Sequence, residues 1–134
     1  MLFRSKIIES VKNMNDSLTL QFLKSFKDFI EEIRLNPGCT GTQLLLEDEL
    51  RIITDDKDKI IGFVHFTINS DYNFINFLYV IPKFRKQGYG KKLVELSSNQ
   101  KSTKLNCLYR EEKARSFYEN LGFEPEFIVY RKIN

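Results

Sequence analysis

Apolar residues recur near the start of the chain with the spacing of an amphipathic helix. The pattern begins after Asp16 or Ser17, either of which can serve as an N-cap, and it stops at Pro37-Gly38. The apolar positions are Leu18, Phe22, Phe26, Phe29, Ile30 and Ile33. We therefore predict a helix that packs a phenylalanine-rich stripe against a sheet. Residues 2–11 fit either a short first strand or one face of a helix.

The middle of the chain carries shorter apolar segments separated by charged or polar turns, a pattern typical of a strand meander. The predicted strands are Leu50–Thr54, Ile60–Asn69 and Ile75–Ile81, joined by turns at 55–59 and 70–73. Segment 42–49 fits a short helix or irregular structure.

The last third alternates helical and strand patterns. We predict a helix opened by Gly90 and ending near residues 97–100, a strand at 104–109, a helix at 112–121 and a closing strand at 127–132. In the second of these helices Ala114, Phe117, Tyr118 and Leu121 share one face. Gly122 follows where a helix C-cap favours a left-handed residue. The expected fold is mixed α/β, with about six strands and helices on both faces.

The chemistry is concentrated where the strand at 75–81 meets Pro82 and a glycine turn at 85–90. Gly88 and Gly90 allow a tight bend and a close approach of backbone N–H groups to a ligand. A helix amino terminus follows, and its unpaired N–H groups favour anions. Five cations surround the turn, and no carboxylate interrupts residues 81–93; the cations are Lys83, Arg85, Lys86, Lys91 and Lys92. A phosphate-bearing ligand is therefore expected.

Other interpretations of the turn are weaker. A dinucleotide fingerprint would need a third glycine where Leu93 stands, and a nucleoside triphosphate loop would need Gly-Lys-Ser or Gly-Lys-Thr. An ordinary turn with solvated lysines and a nucleic-acid patch both remain possible from charge alone, but no binding motif accompanies the cations.

Two segments together resemble the GNAT superfamily of acyl-coenzyme A-dependent N-acyltransferases. Arg85-Lys86-Gln87-Gly88-Tyr89-Gly90 resembles its cofactor-binding signature, preceded at the family's spacing by Leu78-Tyr79-Val80-Ile81-Pro82. The later segment 114–123, Ala-Arg-Ser-Phe-Tyr-Glu-Asn-Leu-Gly-Phe, resembles the second landmark of the family. The resemblance covers roughly residues 60–125, about half of the chain.

The resemblance implies a GNAT-like, mostly antiparallel sheet with a splayed central strand pair, and acetyl-CoA as cosubstrate. It places the pyrophosphate on the backbone N–H groups of residues 87–90 and the pantetheine arm beside residues 78–80. The implied cofactor-binding residues are Leu78, Tyr79, Val80, Arg85, Lys86, Gln87, Gly88, Tyr89, Gly90 and Lys91. It also implies that Tyr118 donates a proton to the coenzyme A sulfur, since a phenol is protonated at neutral pH.

The usual catalytic base of the family is missing. Two positions where the family often has a base carry Asn76 and Asn106, and Glu111 stands where many members have an asparagine that contacts pantetheine. His65 is the only histidine, and it is either a packed, hydrogen-bonded core residue or the base. The expected function is acetyl transfer to a primary amine of a small molecule, protein or peptide. The alternative is a non-catalytic acyl-CoA-binding sensor or partner-docking module.

Length and composition support a single folded domain. The chain has 134 residues, 42% hydrophobic and 29% charged, with a net charge of +3. No apolar run is long enough to span a bilayer, and no secretion signal is recognisable, so a cytoplasmic protein is expected. Cys39 and Cys107 lie far apart and outside any metal-binding spacing, so reduced thiols and no metal site are expected. We expect no nucleic-acid or membrane partner, and the oligomeric state stays open, a homodimer included.

Overall fold

A computed structural model describes residues 6–8, 16–35, 49–98, 100–107 and 110–133. In these ranges it contains five strands and three α-helices. In chain order they are β1 (Lys6–Ile8), α1 (Asp16–Leu35), β2 (Glu49–Thr54), β3 (Ile60–Ile68), β4 (Tyr72–Val80), α2 (Tyr89–Ser98), β5 (Ser102–Lys104) and α3 (Glu112–Asn120). A short 3-10 helix, Pro82–Phe84, lies between β4 and α2.

The strands form one mixed sheet in the order β1-β2-β3-β4-β5. The first four are antiparallel neighbours, and β5 runs parallel to β4. The parallel pairing covers only the start of β4 and ends where Phe74 meets Lys104. Beyond Phe74, β4 keeps β3 on one side and has no strand from the described residues on the other. The expected mostly antiparallel sheet with a splayed strand pair is therefore confirmed.

Helix α1 covers one face of this sheet with the predicted phenylalanine stripe. Its buried residues join a core that includes Leu18, Phe22, Phe29, Leu50, Ile52, Phe63 and Phe77. Phe63 lies at the centre, fully buried, with ring centroids 5.1 Å from Phe22 and 5.8 Å from Phe77. Packed aromatic rings at these distances stabilise the layer beyond simple burial. The helix therefore holds in place the side chains of β3 and β4 that point toward it.

Helices α2 and α3 cover the opposite face. A second core lies on this face. It includes Ile61, Val64, Phe66, Ile75, Tyr89, Leu93 and Val94, and Phe117 and Tyr118 of α3 pack against it together with Leu121, which follows the helix. Gly62 permits close packing here, because a Cβ at this position would lie 2.6 Å from the Tyr79 carbonyl oxygen. The sheet is therefore buried on both faces, as β3 shows by being buried from Ile60 to Phe66.

Most predicted elements are confirmed within a few residues. The first helix, the strands at 50–54 and 60–69 and the two later helices all occur, and residues 6–8 adopt the strand alternative. The predicted turn at 55–59 is held by Asp55, whose Oδ1 accepts from the backbone N–H groups of Lys57 and Lys59. Residues 42–48 lie outside the described ranges.

Two strand predictions near the carboxyl end are wrong. The fifth strand was expected at 104–109 but occupies Ser102–Lys104, because its register follows its pairing with the start of β4. The closing strand at 127–132 does not form, so the described sheet has five strands rather than about six. Phe127, Ile128, Val129 and Tyr130 are each more than 70% exposed. Strand propensity describes fit to a pleated, partly buried surface, and this segment has no such surface in the structure.

No helix within the described residues is both long and apolar enough to cross a membrane.

Candidate active site

The pairing of β3 with β4 is interrupted at Asn76. His65 pairs with Phe77 and Phe66 pairs with Ile75, so Asn76 is the extra residue of a β-bulge. A bulge bends the strand and redirects its side chains. Accordingly, Ile75 joins the core under α2 while Phe77 joins the core under α1.

The bulge lies beside a gap between β4 and the chain that follows β5. Eight side chains line this gap, contributed by α1, β4, the segment after β5 and α3: Phe29, Ile75, Asn76, Phe77, Leu78, Leu105, Asn106 and Tyr118. The structure thus brings Tyr118 together with Asn76 and Asn106, the two amides at the positions where the family often has a base. We call this space the β4–β5 gap.

Tyr118 reaches the β4–β5 gap from α3 and is held by neighbouring aromatic rings. The Tyr118 ring centroid lies 5.0 Å from that of Phe117 and 5.5 Å from that of Phe123, both in edge-on geometry. The turn after α3 keeps Phe123 in place, because the Phe123 N–H donates to the Tyr118 carbonyl oxygen at 3.1 Å. Segment 114–123, the second landmark of the sequence, therefore contains both the tyrosine and the rings that pack around it.

His65 lies behind Asn76 rather than in the gap. It is 1% exposed, and its ring stacks on Phe77 at 4.7 Å between centroids. Asn76 Nδ2 lies 3.2 Å from His65 Nδ1 and donates to Thr67 Oγ1 at 2.9 Å. This geometry favours the packed, hydrogen-bonded alternative for His65, which reaches the gap only through Asn76.

The glycine turn lies at the far end of β4. Lys86 and Gly88 both have positive φ angles, 62° and 92°, and α2 begins at Tyr89. The N–H groups in the first turn of a helix have no intrahelical acceptor, so this end of α2 suits an anion. A Cβ built on Gly88 would meet no atom within 4 Å, which leaves open space at the turn for a phosphate. The local geometry therefore suits a phosphate-bearing ligand.

The Arg85 side chain makes contacts that the sequence did not predict. Its Nη2 lies 2.9 Å from Glu32 Oε2 on α1, and its Nε donates to the Val80 carbonyl oxygen at 2.9 Å. Its guanidinium carbon also lies 5.3 Å from the centre of the Tyr79 ring. The hydrogen bond from Arg85 lowers the pKa of Glu32. Arg85 therefore fastens the glycine turn to β4 and α1.

The remaining predicted cofactor residues differ in how accessible their side chains are. Tyr79 and Tyr89 are buried in the core, and burial raises the pKa of Tyr79 to about 12 and raises that of Tyr89. Gly90 packs against α3, since a Cβ there would lie 2.8 Å from the Phe117 ring. By contrast, Leu78 lines the gap, and Lys86, Gln87, Gly88 and Lys91 are exposed at the turn. Val80 contributes its carbonyl oxygen to Arg85.

Five residues at or near the site were not predicted to belong to it: Phe29, Glu32, Ile75, Phe77 and Leu105. Phe29 and Leu105 line the β4–β5 gap, and Glu32 pairs with Arg85. Phe29 belongs to the predicted stripe of α1, but the spacing of that stripe does not tell which strand it crosses. Glu32 has no sequence signal, because its partner lies 53 residues away.

Comparison with known proteins agrees with this geometry. A family model described as "Acetyltransferase (GNAT) domain" matches residues 44–125, which is more than half of the chain. The chain therefore belongs to the GNAT acetyltransferase family. A sequence comparison with curated proteins found no match.

Solved structures show the same fold at low sequence identity. The aminoglycoside 6'-N-acetyltransferase AAC(6')-Ih from Acinetobacter baumannii is 17% identical, with a TM-score of 0.62 over 97% of this chain and 98% of that one. AAC(6')-Iy, in complex with the bisubstrate analogue CoA-S-monomethyl-acetylneamine, is 19% identical, with a TM-score of 0.61 over 97% and 99%. A GNAT-family acetyltransferase from Staphylococcus aureus MU50 is 19% identical, with a TM-score of 0.60 over 90% and 84%.

Proposed function

We propose that this protein transfers an acetyl group from acetyl-CoA to a primary amine. The observation that carries the proposal is the β4–β5 gap, where Tyr118, Asn76 and Asn106 meet beside the middle of β4, the strand that leads to the glycine turn. Family membership supports the reaction class. A cytoplasmic location, predicted from the sequence, is part of this proposal.

In this proposal, β4 binds the pantetheine arm of acetyl-CoA and the glycine turn binds its pyrophosphate. Beyond Phe74, β4 has an edge unpaired by any described strand, and an extended pantetheine arm can add to such an edge as a further strand would. Leu78 offers an apolar contact along that path. The turn from Lys86 to Gly88 and the first N–H groups of α2 would hold the pyrophosphate, with Lys86 and Lys91 adding positive charge.

The residues of the gap supply the remaining steps. The amine nitrogen bonds to the acetyl carbon as the carbon–sulfur bond breaks. The Tyr118 hydroxyl would give its proton to the departing sulfur and regain one from water. Among the described residues, none that lines the gap carries a carboxylate, so in this proposal the proton of the amine passes to water.

A small-molecule acceptor is the first class to test. AAC(6')-Ih is an aminoglycoside 6'-N-acetyltransferase by name, and AAC(6')-Iy was solved with the bisubstrate analogue CoA-S-monomethyl-acetylneamine. At their level of identity they support only a choice of probes. Aminoglycosides and amino sugars therefore open the panel, followed by polyamines, amino acids and peptide amino termini.

A second function is favoured by the lining of the gap. Asn76 and Asn106 stand where carboxylates often act as base in the family, and neither amide can accept a proton at neutral pH. A protein with this gap could bind acyl-CoA without transferring its acetyl group, as a sensor or docking module.

One experiment separates the two functions. The protein is mixed with acetyl-CoA and each amine in turn, and coenzyme A thiol release is followed alongside the mass of the acceptor. Acceptor-dependent thiol release with a matching mass increase supports the transferase. Tight acetyl-CoA binding by calorimetry with no acetylated product across the panel favours the binding module. Absence of acetyl-CoA binding would contradict both.

A further inference from the structure

The side-chain amide of Asn76 contacts two residues of β3. Its Nδ2 donates to Thr67 Oγ1 at 2.9 Å and lies 3.2 Å from His65 Nδ1. An amide nitrogen carries two hydrogens, which serve both contacts when His65 has its proton on Nε2. The nitrogen of Asn76 is therefore directed into the sheet.

The orientation of the nitrogen determines that of the carbonyl oxygen. Nitrogen and oxygen belong to one planar amide group, so an amide with its NH₂ turned toward β3 turns its oxygen away from β3. Asn76 also lines the β4–β5 gap, at the bulge that takes it out of the regular strand pairing. The oxygen is the polar atom that Asn76 presents on the gap side.

The partners behind Asn76 are rigid. His65 is buried at 1% exposure and stacks nearly parallel to Phe77, at an interplanar angle of 6°. Phe77 in turn packs between Phe26, Phe29 and Phe63, with centroid distances from 5.3 to 5.8 Å. The ring of His65 cannot turn without disturbing this aromatic cluster, so its Nδ1 is fixed in position beside Asn76.

We propose that Asn76 orients the acceptor amine: its carbonyl oxygen accepts a hydrogen bond from an amine N–H, while His65 and Thr67 are positioning residues that hold the amide. This inference rests on the proposed function and deepens it. An amide oxygen is neutral, so Asn76 aligns the nitrogen without taking its proton. The acceptor it fits is a primary amine, which keeps an N–H for Asn76 while its lone pair faces the acetyl carbon.

Steady-state kinetics test the proposal through a residue that does not touch the amine. Thr67→Val keeps the side-chain volume and removes one acceptor behind Asn76. With the amine from the panel that is acetylated fastest, we expect Thr67→Val to raise the amine KM roughly threefold to tenfold, the usual effect of one lost hydrogen bond. The KM for acetyl-CoA should stay unchanged. Thr54→Val, at a buried strand position of β2 that is not hydrogen-bonded to Asn76, is the control and should change neither KM.

A double-mutant cycle distinguishes positioning from general loss of structure. Asn76→Leu should raise the amine KM by about tenfold or more, and adding Thr67→Val to it should have no further effect, because Thr67 would act only through Asn76. Additive effects, or an unchanged amine KM in Thr67→Val, would overturn the proposal while leaving acetyl transfer intact. No transfer by the wild type to any amine would overturn both the proposed function and this inference.

A spectroscopic measurement tests the amide orientation without any substrate. If Asn76 donates to His65 Nδ1, the neutral imidazole carries its proton on Nε2, and ¹⁵N NMR of the single histidine reports that tautomer directly. A proton on Nδ1 would mean that the Asn76 oxygen faces β3, and the proposal would fail.

Discussion

Tyr118 carries the only hydroxyl among the side chains that line the β4–β5 gap in the described structure. Replacing it with Phe keeps the ring between Phe117 and Phe123 and removes only the proton donor. We expect Tyr118→Phe to lower kcat by roughly tenfold to a thousandfold, the usual size of general acid catalysis, while the acetyl-CoA affinity changes little. Thiol-release kinetics and calorimetry measure the two quantities.

The control for this change is a tyrosine away from the site. Tyr130 is 89% exposed, so Tyr130→Phe should leave kcat unchanged. Full activity in Tyr118→Phe would assign the proton to water and leave Tyr118 as a packing residue.

At the level of single residues, the sequence predicted which residues belong to the site better than it predicted what their side chains contact. Tyr118 was singled out by its motif, and the structure places it in the gap. Asn76 was noted only as a missing carboxylate, because its partners on β3 depend on a bulge that shifts the register by one residue. Arg85 was expected beside phosphates, but an ion pair across 53 positions has no local signal.

In the proposed function, the glycine turn is the element that holds the pyrophosphate of acetyl-CoA. Gly88 has a φ of 92° and open space where a Cβ would project. We expect Gly88→Val to weaken acetyl-CoA binding by a hundredfold or more, because a β-branched side chain would fill the phosphate position and resist this backbone conformation. Isothermal titration calorimetry measures the affinity.

Gly122 offers a matched control, since its φ is 95° and a Cβ there also meets no atom within 4 Å. Gly122→Val carries a similar backbone strain away from the turn, so it should lose stability but keep acetyl-CoA affinity. Equal loss of affinity in both variants would attribute the effect to strain rather than to the phosphate position.

The link between α1 and the glycine turn is electrostatic and should depend on pH. The pKa of Glu32 is lowered by its hydrogen bond with Arg85, so the ionised carboxylate stabilises the folded state. This contribution is present above about pH 4.5, the ordinary value for the side chain, and is lost as the pH falls through the lowered pKa. Both partners are partly exposed, so solvent limits the effect to less than about 1 kcal/mol.

We therefore expect Glu32→Gln to lose up to about 1 kcal/mol of unfolding free energy at neutral pH and less at pH 3, where protonation of Glu32 has begun to remove the ion pair. Urea unfolding of wild type and variant at both pH values measures the difference. Glu95→Gln, on the exposed side of α2, should match the wild type at both. A deficit for Glu32→Gln that is equally large at both pH values would show that the charge of Glu32 is not its cause.

Elements with strong periodicity were predicted well, and those that depend on a distant partner were not. The stripe of α1 and the apolar run at 75–81 are local patterns, and the helix and β4 both occur within a few residues of their predicted bounds. Strand β5 lies at 102–104 instead of the predicted 104–109, because its position is set by pairing with the start of β4, far away in the sequence. Segment 127–132 has side chains that favour strands but forms no strand, because a strand also needs a neighbouring strand to pair with and side-chain propensity does not provide one.

For the whole molecule, the aromatic residues of the core under α1 contrast with those of the exposed carboxyl-terminal segment. Phe63 is fully buried among Phe22, Phe29 and Phe77, whereas Phe127 is 72% exposed. We expect Phe63→Ala to lower the free energy of unfolding by about 3–5 kcal/mol, from lost burial and the cavity left behind. Phe127→Ala should change it by no more than about 0.5 kcal/mol.

Urea denaturation followed by circular dichroism measures both variants against the wild type. The comparison tests the architecture because the sequence predicted that residues 127–132 close the sheet, where Phe127 would be buried. A loss of about 3 kcal/mol or more in Phe127→Ala would return this segment to the core and contradict the observed exposure. A small loss, with Phe63→Ala strongly destabilised, would mean that the packed fold depends on the layers around β3 and β4, the strands that also carry Asn76 and its partners.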